Sequence, residues 1–330
     1  MSLPIIDISP FLSPDEGDNR AARRATSAAL HAACLQFGFF YLDLSSFVSP
    51  TVPEELSELA RTFFHLPQEE KDKLSLSLQD NARGYAKLKE NVTGGKADNH
   101  EGLDFYKPVQ NPDKTKPLWG ENQWPDLPGF REKYDAWVEK MKALGLIVSH
   151  EVKDLLSLVD DSFWVMRAIG YPPLPDDHDG FSCGAHKDYG CLTFLYADPT
   201  PSALQVFLKD GVVPSSAVSN LALPAEQGDE EGIWINADPI PNCVVCNIGE
   251  MWEIWTNGMY KSTLHRVIHR SRNYRVPFFF EPNFDALIQP LAAVKRIQGS
   301  APEKKPVVYG EFLMGKVSGN FAGGKGKYDD

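Results

Sequence analysis

Several things are missing from this sequence of 330 residues. No stretch of about 18 apolar residues occurs, the length that a bilayer-spanning helix needs, so no membrane partner is expected. Positive charge is short: 33 Lys and Arg stand against 45 Asp and Glu, a formal net charge of -12. That balance argues against a nucleic-acid backbone or an anionic membrane as partner, but leaves room for a local basic pocket that takes a small anion. Cysteine is sparse and odd in number (Cys34, Cys183, Cys191, Cys243, Cys246), and the opening MSLPIIDISPF carries Asp7 without the basic start or long apolar stretch of a signal peptide. A reduced, cytoplasmic setting is therefore the expectation. Internal repeats and low-complexity tracts are also absent.

What is there is a globular composition, 42% hydrophobic and 24% charged, long enough for a sizeable core. PIIDISPF reads as a first strand and FFYLDL as a second, with an alanine-rich helix between them that Gly38 stops. Another helix starts near Pro53, with Leu56, Leu59, Ala60 and Phe63 on one face. Residues 80 to 128 lack periodicity and read as a long ordered loop over a core or site. From Pro128, apolar residues step by three or four from Phe130 to Leu155, which predicts one long helix. After Asp161 short apolar runs (FWVMRAI, CLTFLY, LQVFL, GIWI, CVVCNI, VPFFF) alternate with turn residues, the texture of a β-sandwich or barrel. The expected organisation is 1–125 as helices with the first strands, 126–160 as a long scaffold helix, 161–285 as a β core, and 286–330 as a C-terminal helix and polar tail.

Three elements carry chemistry. In GAHKDYG, His186 and Asp188 lie two apart, so on a strand both point to one face and Lys187 to the other. Alone, H-x-D is a chance occurrence in many proteins. His265 alone reads as a core or surface histidine. Two histidines and a carboxylate together leave open positions on a metal, the donor set of non-haem Fe(II) oxygenases. Arg275 follows His265 by ten residues. If 263 to 280 is one extended strand, it lies deeper in the same barrel, where a buried guanidinium needs an anionic partner. The plain alternative is an exposed arginine in a basic run with Arg266, Arg270 and Arg272.

Together, GAHKDYG, TNGMYKSTLHRV and YRVPFFFEPNF resemble the isopenicillin-N-synthase-like family of Fe(II)/2-oxoglutarate-dependent dioxygenases, and PIIDISPF, GFFYL, FFHLPQEEK and IGYPPLP extend the likeness over nearly the whole chain. The resemblance implies a mixed α/β (α+β) fold, a double-stranded β-helix (jelly roll) with an N-terminal helical region packed on it. It implies iron held by His186, Asp188 and His265, and 2-oxoglutarate held by Arg275. The cofactors would be Fe(II), 2-oxoglutarate and O2, with ascorbate in support. The reaction would couple oxidative decarboxylation to succinate and CO2 with hydroxylation, desaturation or ring chemistry on a small molecule, in secondary metabolism, and the expected state is a monomer.

The chain departs from that family at one place. An R-x-S pattern, whose serine also meets the cosubstrate carboxylate, reads here as Arg275-Val276-Pro277. Anchored on His265, the register puts Arg275 in the arginine position and Pro277 in place of the serine. Anchored on PFFFEP, it puts Asn273 in the arginine position and Arg275 in the serine position. The spacing from His265 favours the first. Either way a hydroxyl donor is gone, which implies weakened 2-oxoglutarate binding, and Pro277 removes a strand N–H, which implies an edge or irregular position.

Other residues are weighed against bland alternatives. Arg167, in VMRAIGYPP, is a second cosubstrate or anionic-substrate contact, or a structural salt bridge, and Tyr171 is a further cosubstrate contact. Tyr189, Leu192, Phe194 and Phe279 are expected to wall the substrate pocket, although core packing explains apolar residues equally well. Cys243 and Cys246 are three apart on a strand and face opposite sides, a poor pair for one metal. His269 lies roughly 13 Å along a strand from His265, too far for one iron. His31, His65, His100, His150 and His178 show no partner pattern. RGYAKLKENVTGGKADNHEGLDFY is expected to cover the mouth of the site. Two rivals remain: a catalytically impaired binding protein on the same fold, and a zinc hydrolase or isomerase using the same triad.

Overall fold

The computed structural model describes residues 2–12, 16–149, 153–176, 178–209, 223–227 and 230–317. His150 and the end of the expected C-terminal tail lie outside them. Two sheets carry the molecule. The larger has eight strands in the order Ile5–Asp7, Phe39–Asp43, Cys243–Ile248, Leu192–Ala197, Asn273–Phe280, Val165–Tyr171, Glu101–Tyr106, Gly84–Ala86. The smaller has five: Leu223–Gln227, Glu230–Asn236, Leu204–Lys209, His265–Ile268, Phe181–His186. The large sheet takes strands from both ends of the chain, so the first hundred residues and the later β core share one hydrogen-bonded ladder.

Alternation along each strand of the large sheet separates two cores. Phe40 and Leu42, Val244 and Cys246, Leu192 and Phe194, Val276 and Phe278, Met166 and Ala168 face one side. There they meet Leu56, Ala60 and Phe63 of helix Thr51–Phe64 and Tyr134, Trp137, Met141 and Leu144 of helix Phe130–Ser149. Phe39, Tyr41, Val245, Ile169 and Tyr171 face the other side and pack with Leu204, Val206 and Ile235 of the small sheet. Each buried large side chain contributes roughly 1.5–3 kcal/mol. A sheet covered on both faces has no polar face to show, which is why FFYL and VPFFF read as continuous apolar runs. Helix and sheet come close enough that a Cβ on Gly145 would lie 2.4 Å from the Phe280 ring.

Three expectations are corrected here. Residues 263 to 280 do not form one extended strand. His265–Ile268 belongs to the small sheet and Asn273–Phe280 to the large one, and the turn between them passes through Arg272 at φ 62. Of the edge or irregular position expected for Pro277, the edge is not found and the irregularity is: its strand is paired on both sides, with Pro277 opposite Leu195. On its other side the ladder has Arg275 opposite Ile169 and Phe278 opposite Met166. The pairing is interrupted between them, where the proline has no N–H to give. Residues 80 to 128 are not only loop, because Glu101–Tyr106 is a strand buried along its whole length. The buried ion pair Arg83–Asp80 at 3.2 Å organises the remainder: Arg83 donates to the carbonyls of Lys107 and Leu118, and Asp80 accepts from the Gly120 N–H. Finally, the expected long helix is described as two, Phe130–Ser149 and Lys153–Val159, with 150–152 outside the described residues.

Candidate metal centre and its cavity

His186 ends strand Phe181–His186, and its partner in register on the neighbouring strand is His265. Antiparallel partners bring side chains together, and the two imidazole centroids lie 4.2 Å apart. Asp188 sits two residues beyond the strand end. Its backbone is fixed by the Glu250 N–H and the Ser262 hydroxyl, both donating to its carbonyl. The loop that follows crosses the start of helix Glu250–Trp255 so closely that a Cβ on Gly249 would lie 2.2 Å from the Gly190 carbonyl oxygen.

The donor atoms converge. Nε2 of His186 lies 3.8 Å and Nε2 of His265 3.7 Å from Asp188 Oδ1, and the three ligand atoms lie within 4.8 Å of one another. Both histidines use Nδ1 on a backbone carbonyl, Gly184 at 2.9 Å and Thr263 at 3.1 Å. That bond makes Nδ1 the donor, so each Nε2 lone pair points at the shared centre. The second carboxylate oxygen of Asp188 accepts from Thr193 Oγ1 at 2.5 Å and Asn247 Nδ2 at 2.6 Å.

Electrostatics agree with a cation site. Burial works against the Asp188 carboxylate, yet His265 and His186 hold it below the usual range. Burial and the neighbouring His186 push His265 down to about 4, leaving it the neutral imidazole that a metal needs. Burial also opposes charge on His186, but the Cys183 sulfur and Asp188 outweigh it and lift it to about 10. Without a metal the triad therefore keeps a proton that a divalent cation would displace. Two imidazoles and one carboxylate on one side of a shared centre fit a metal that must keep open positions for further ligands.

The triad opens onto a cavity of about 370 Å³ that both sheets line. Arg275 and Tyr171 lie in its wall, Arg275 only 3% exposed. The guanidinium carbon stands 5.6 Å above the Tyr171 ring, and Nε has no hydrogen-bond partner. Pro277 and Phe279 line the same wall. Asn273, on the same side of the strand by alternation, is buried with neither side-chain polar atom bonded. Arg167 also reaches the cavity, but as a salt bridge: Nε meets Asp104 Oδ1 at 2.6 Å and Nη2 donates to Asn91.

Of the expected pocket walls, Tyr189 and Phe279 line the cavity, while Leu192 and Phe194 do not. Those two point into the helical core. Thr193 and Leu195, one place out of step, face the cavity instead. His269 stays away from the triad, bonded through Nδ1 to Ser182 Oγ at 2.8 Å. Cys246 packs in the helical core and Cys243 toward the small sheet. The segment 91–106 supplies Asn91, Thr93, Asp98, His100, Asp104 and Tyr106 to the cavity. Of these, Asp104 had a readable signal only once its strand was known, since it stands opposite Arg167 in register. Asn247 and Glu281 carried none.

Comparison with known proteins agrees with this geometry. Residues 3–127 match the family of the non-haem dioxygenase in morphine synthesis N-terminal region, and residues 161–282 match the 2OG-Fe(II) oxygenase superfamily. The chain is 37% identical to the homoarginine-6-hydroxylase 2-ODD-C23.1 of Arabidopsis thaliana, over 97% of this chain and 98% of that protein. It is 30% identical to a 2-oxoglutarate-Fe(II) type oxidoreductase of Aspergillus fumigatus, over 96% and 92%. Among solved structures, a full-length Neurospora crassa protein in complex with alpha-KG superimposes with a TM-score of 0.75 at 25% identity, covering 96% of this chain and 95% of that one. The chain belongs to the 2OG-Fe(II) oxygenase superfamily. It is an oxidoreductase that uses Fe(II), 2-oxoglutarate and O2 on a small molecule.

Proposed function

We propose that the chain hydroxylates an unactivated C–H bond of a small metabolite, with His186, Asp188 and His265 as the iron ligands and Arg275 as the anchor of 2-oxoglutarate. One observation carries the reading: a preorganised two-histidine, one-carboxylate set on the wall of a cavity that also holds a buried guanidinium whose Nε has no partner. Hydroxylation is chosen because the similar plant proteins are named as hydroxylases. The two sheets, with the cavity between them, support the double-stranded β-helix. Residues 161–285 would be the catalytic core, against which 1–125, the scaffold helix region 126–160 and the C-terminal 286–330 pack. Five cysteines that stand as free thiols support a reducing, cytoplasmic setting.

The chain's own part is to bind, orient and exclude water. Iron, when bound, supplies the activation of O2 coupled to oxidative decarboxylation of the 2-oxo acid. Asn247 and Thr193 fix the Asp188 carboxylate, and the Gly184 and Thr263 carbonyls fix the histidine tautomers. Arg275 offers a planar fork to a carboxylate, with Tyr171 beneath it. The buried, unbonded amide of Asn273, two residues earlier on the strand, is the nearest candidate on that side of the strand to stand in for the hydroxyl that Pro277 does not have. Leu195, Ile169 and Phe279 give the cavity its apolar lining.

The test is anaerobic addition of 2-oxoglutarate to the Fe(II) protein, read as the charge-transfer absorption of the chelate, followed by succinate release on admitting air with candidate substrates. His186→Ala serves as control. Equal succinate from both proteins, or turnover without oxygen and a 2-oxo acid, would sink the reading.

A further inference from the structure

We infer that Asp98 is the residue that selects the substrate, and that it selects a small molecule with a cationic nitrogen, of the guanidine or amine class. The inference rests on the proposed placement of iron and 2-oxoglutarate, because it follows from which charges of the cavity those groups leave unmatched.

Eight charged side chains line the cavity. Arg167 and Asp104 neutralise each other at 2.6 Å. Lys316 is held by Glu250 at 2.9 Å, and Lys187 lies 4.0 Å from Glu253. Asp188 belongs to the metal. Glu281 accepts from the Cys191 N–H at 2.8 Å and is kept protonated by burial, its carboxyl raised to about 8. Two charges of opposite sign remain. Arg275 meets the distal carboxylate of the cosubstrate. Asp98 is buried, 5% exposed, and has no ion-pair partner among the described residues. Burial raises its carboxyl above the ordinary range, and the Thr93 hydroxyl and the Arg167 charge, the latter from beyond ion-pair distance, act against that rise.

A buried carboxylate without a counter-charge is costly, and this one is held in place. Its backbone is clamped in the hairpin of strands Val92–Thr93 and Lys96–Ala97, the Asp98 N–H donating to Asn91 and its carbonyl accepting from Lys89. Thr93 Oγ1 donates to Oδ2 at 2.9 Å. The Gly184 N–H also donates to the carboxylate, so the group lies beside the strand end that bears the first proposed iron ligand, two residues on from Gly184. Once 2-oxoglutarate has matched Arg275, the cavity has one uncompensated negative charge next to the reacting centre. A substrate cation supplies the missing partner, and the bond then sets which carbon faces the metal. The guanidino compound in the names of the plant relatives is of this chemical class.

The experiment compares the wild type, Asp98→Asn and Asp98→Glu as Fe(II) proteins without oxygen. The charge-transfer absorption with 2-oxoglutarate is recorded first. Its absence in the wild type overturns the placement of iron and cosubstrate, and this inference with it. Calorimetric titrations follow with L-homoarginine, L-arginine and L-lysine and with the neutral L-homocitrulline and L-citrulline. The expected result is a wild type that binds at least one cation about 10- to 100-fold more tightly than its neutral counterpart, the range for one charged hydrogen bond. Asp98→Asn, which keeps an acceptor for Thr93, loses that preference with 2-oxoglutarate binding unchanged, and Asp98→Glu retains it. A cation that Asp98→Asn binds as tightly as the wild type does overturns the inference. So does a wild type that holds 2-oxoglutarate and binds none of the cations, or binds neutral and charged probes alike.

Discussion

His186 and His265 are register partners on adjacent antiparallel strands, their rings 4.2 Å apart and each Nε2 within 3.8 Å of the same Asp188 oxygen. Backbone pairing holds this arrangement, so removing one imidazole should remove a ligand without removing the fold. His265→Ala is expected to bind almost no Fe(II) and to release succinate only at the background rate, with an unchanged far-ultraviolet circular dichroism spectrum. A full complement of iron in that variant would exclude His265 from the centre.

Asn247 lines the cavity and is not among the three proposed metal ligands, but it donates to Asp188 Oδ2 at 2.6 Å. Partners that orient a ligand typically contribute 10–100-fold in metal affinity or activity. Asn247→Ala should weaken Fe(II) binding by about that factor, measured by competition with a chelator. Asn247→Asp should do worse, because it sets a second negative charge against the first. Equal affinity in all three proteins would confine Asn247 to packing.

Arg275 and Pro277 share the wall of the cavity, so the cosubstrate tests both. Arg275→Gln should raise the 2-oxoglutarate Kd by about 10- to 100-fold, the worth of one charge-assisted bond. Pro277→Ser returns a hydroxyl to that wall and an N–H to the interrupted ladder. The expected outcome is a Kd lowered by about tenfold. An affinity unmoved by Pro277→Ser would mean that the missing hydroxyl is already replaced, with the Asn273 amide as the next residue to change.

His100 donates from Nδ1 to the Ser182 carbonyl and faces Asn91 through Nε2, both at 3.2 Å. Burial, reinforced by the Arg167 charge, lowers it to about 3. Unfolded, it would titrate at its ordinary 6.5. Between those values the unfolded chain binds the extra proton, so His100 favours the fold fully above pH 6.5 and progressively less toward pH 3. The loss is at most about 1.4 kcal/mol per pH unit. Denaturant titrations at pH 7 and pH 5 should show a shallower fall for His100→Phe than for the wild type, even if the variant starts lower. Parallel falls would show that His100 does not drive the acid loss.

The site was legible where chemistry left a local pattern. The family resemblance joined His186, Asp188 and His265, which the structure brings together, and Arg275, which reaches the same cavity from the other sheet rather than along one strand. What failed was geometry that pairing decides. Leu192 and Phe194 were expected in the pocket because they follow the ligand pair, but the strand that begins at Leu192 puts Thr193 and Leu195 on that side. Asp188 lies beyond its strand, so counting alternation from it crosses a turn and loses phase. The strand Glu101–Tyr106 was invisible because it is buried on both faces and carries Glu101 and Asp104, whose charges Lys71 and Arg167 neutralise. Polar residues inside a sheet erase the alternation that marks a strand. Asp98 could not be singled out either, since its meaning lies in a charge count over residues brought together from the whole chain.

Glu281 is the buried acid whose titration should be felt in the opposite direction to that of His100. It accepts from the Cys191 N–H and fills the space over Gly190, where a Cβ would lie 1.9 Å from its carboxyl. Burial lifts its carboxyl from 4.5 to about 8, and the Cys191 bond offsets that only in part. Between those values the folded protein holds a proton that the unfolded chain releases, so stability is present below pH 4.5 and declines as the pH rises through 8. Glu281→Gln keeps the shape and an acceptor for Cys191, and it has nothing to ionise. It should match or slightly trail the wild type near pH 5 and exceed it at pH 8.5, the gap opening by at most about 1.4 kcal/mol per pH unit. Thermal melting across that range reads the effect directly. A difference between the two proteins that stays constant from pH 5 to 8.5 would mean that Glu281 is ionised in the fold, and the negative charge left for a substrate cation would then have two owners rather than one.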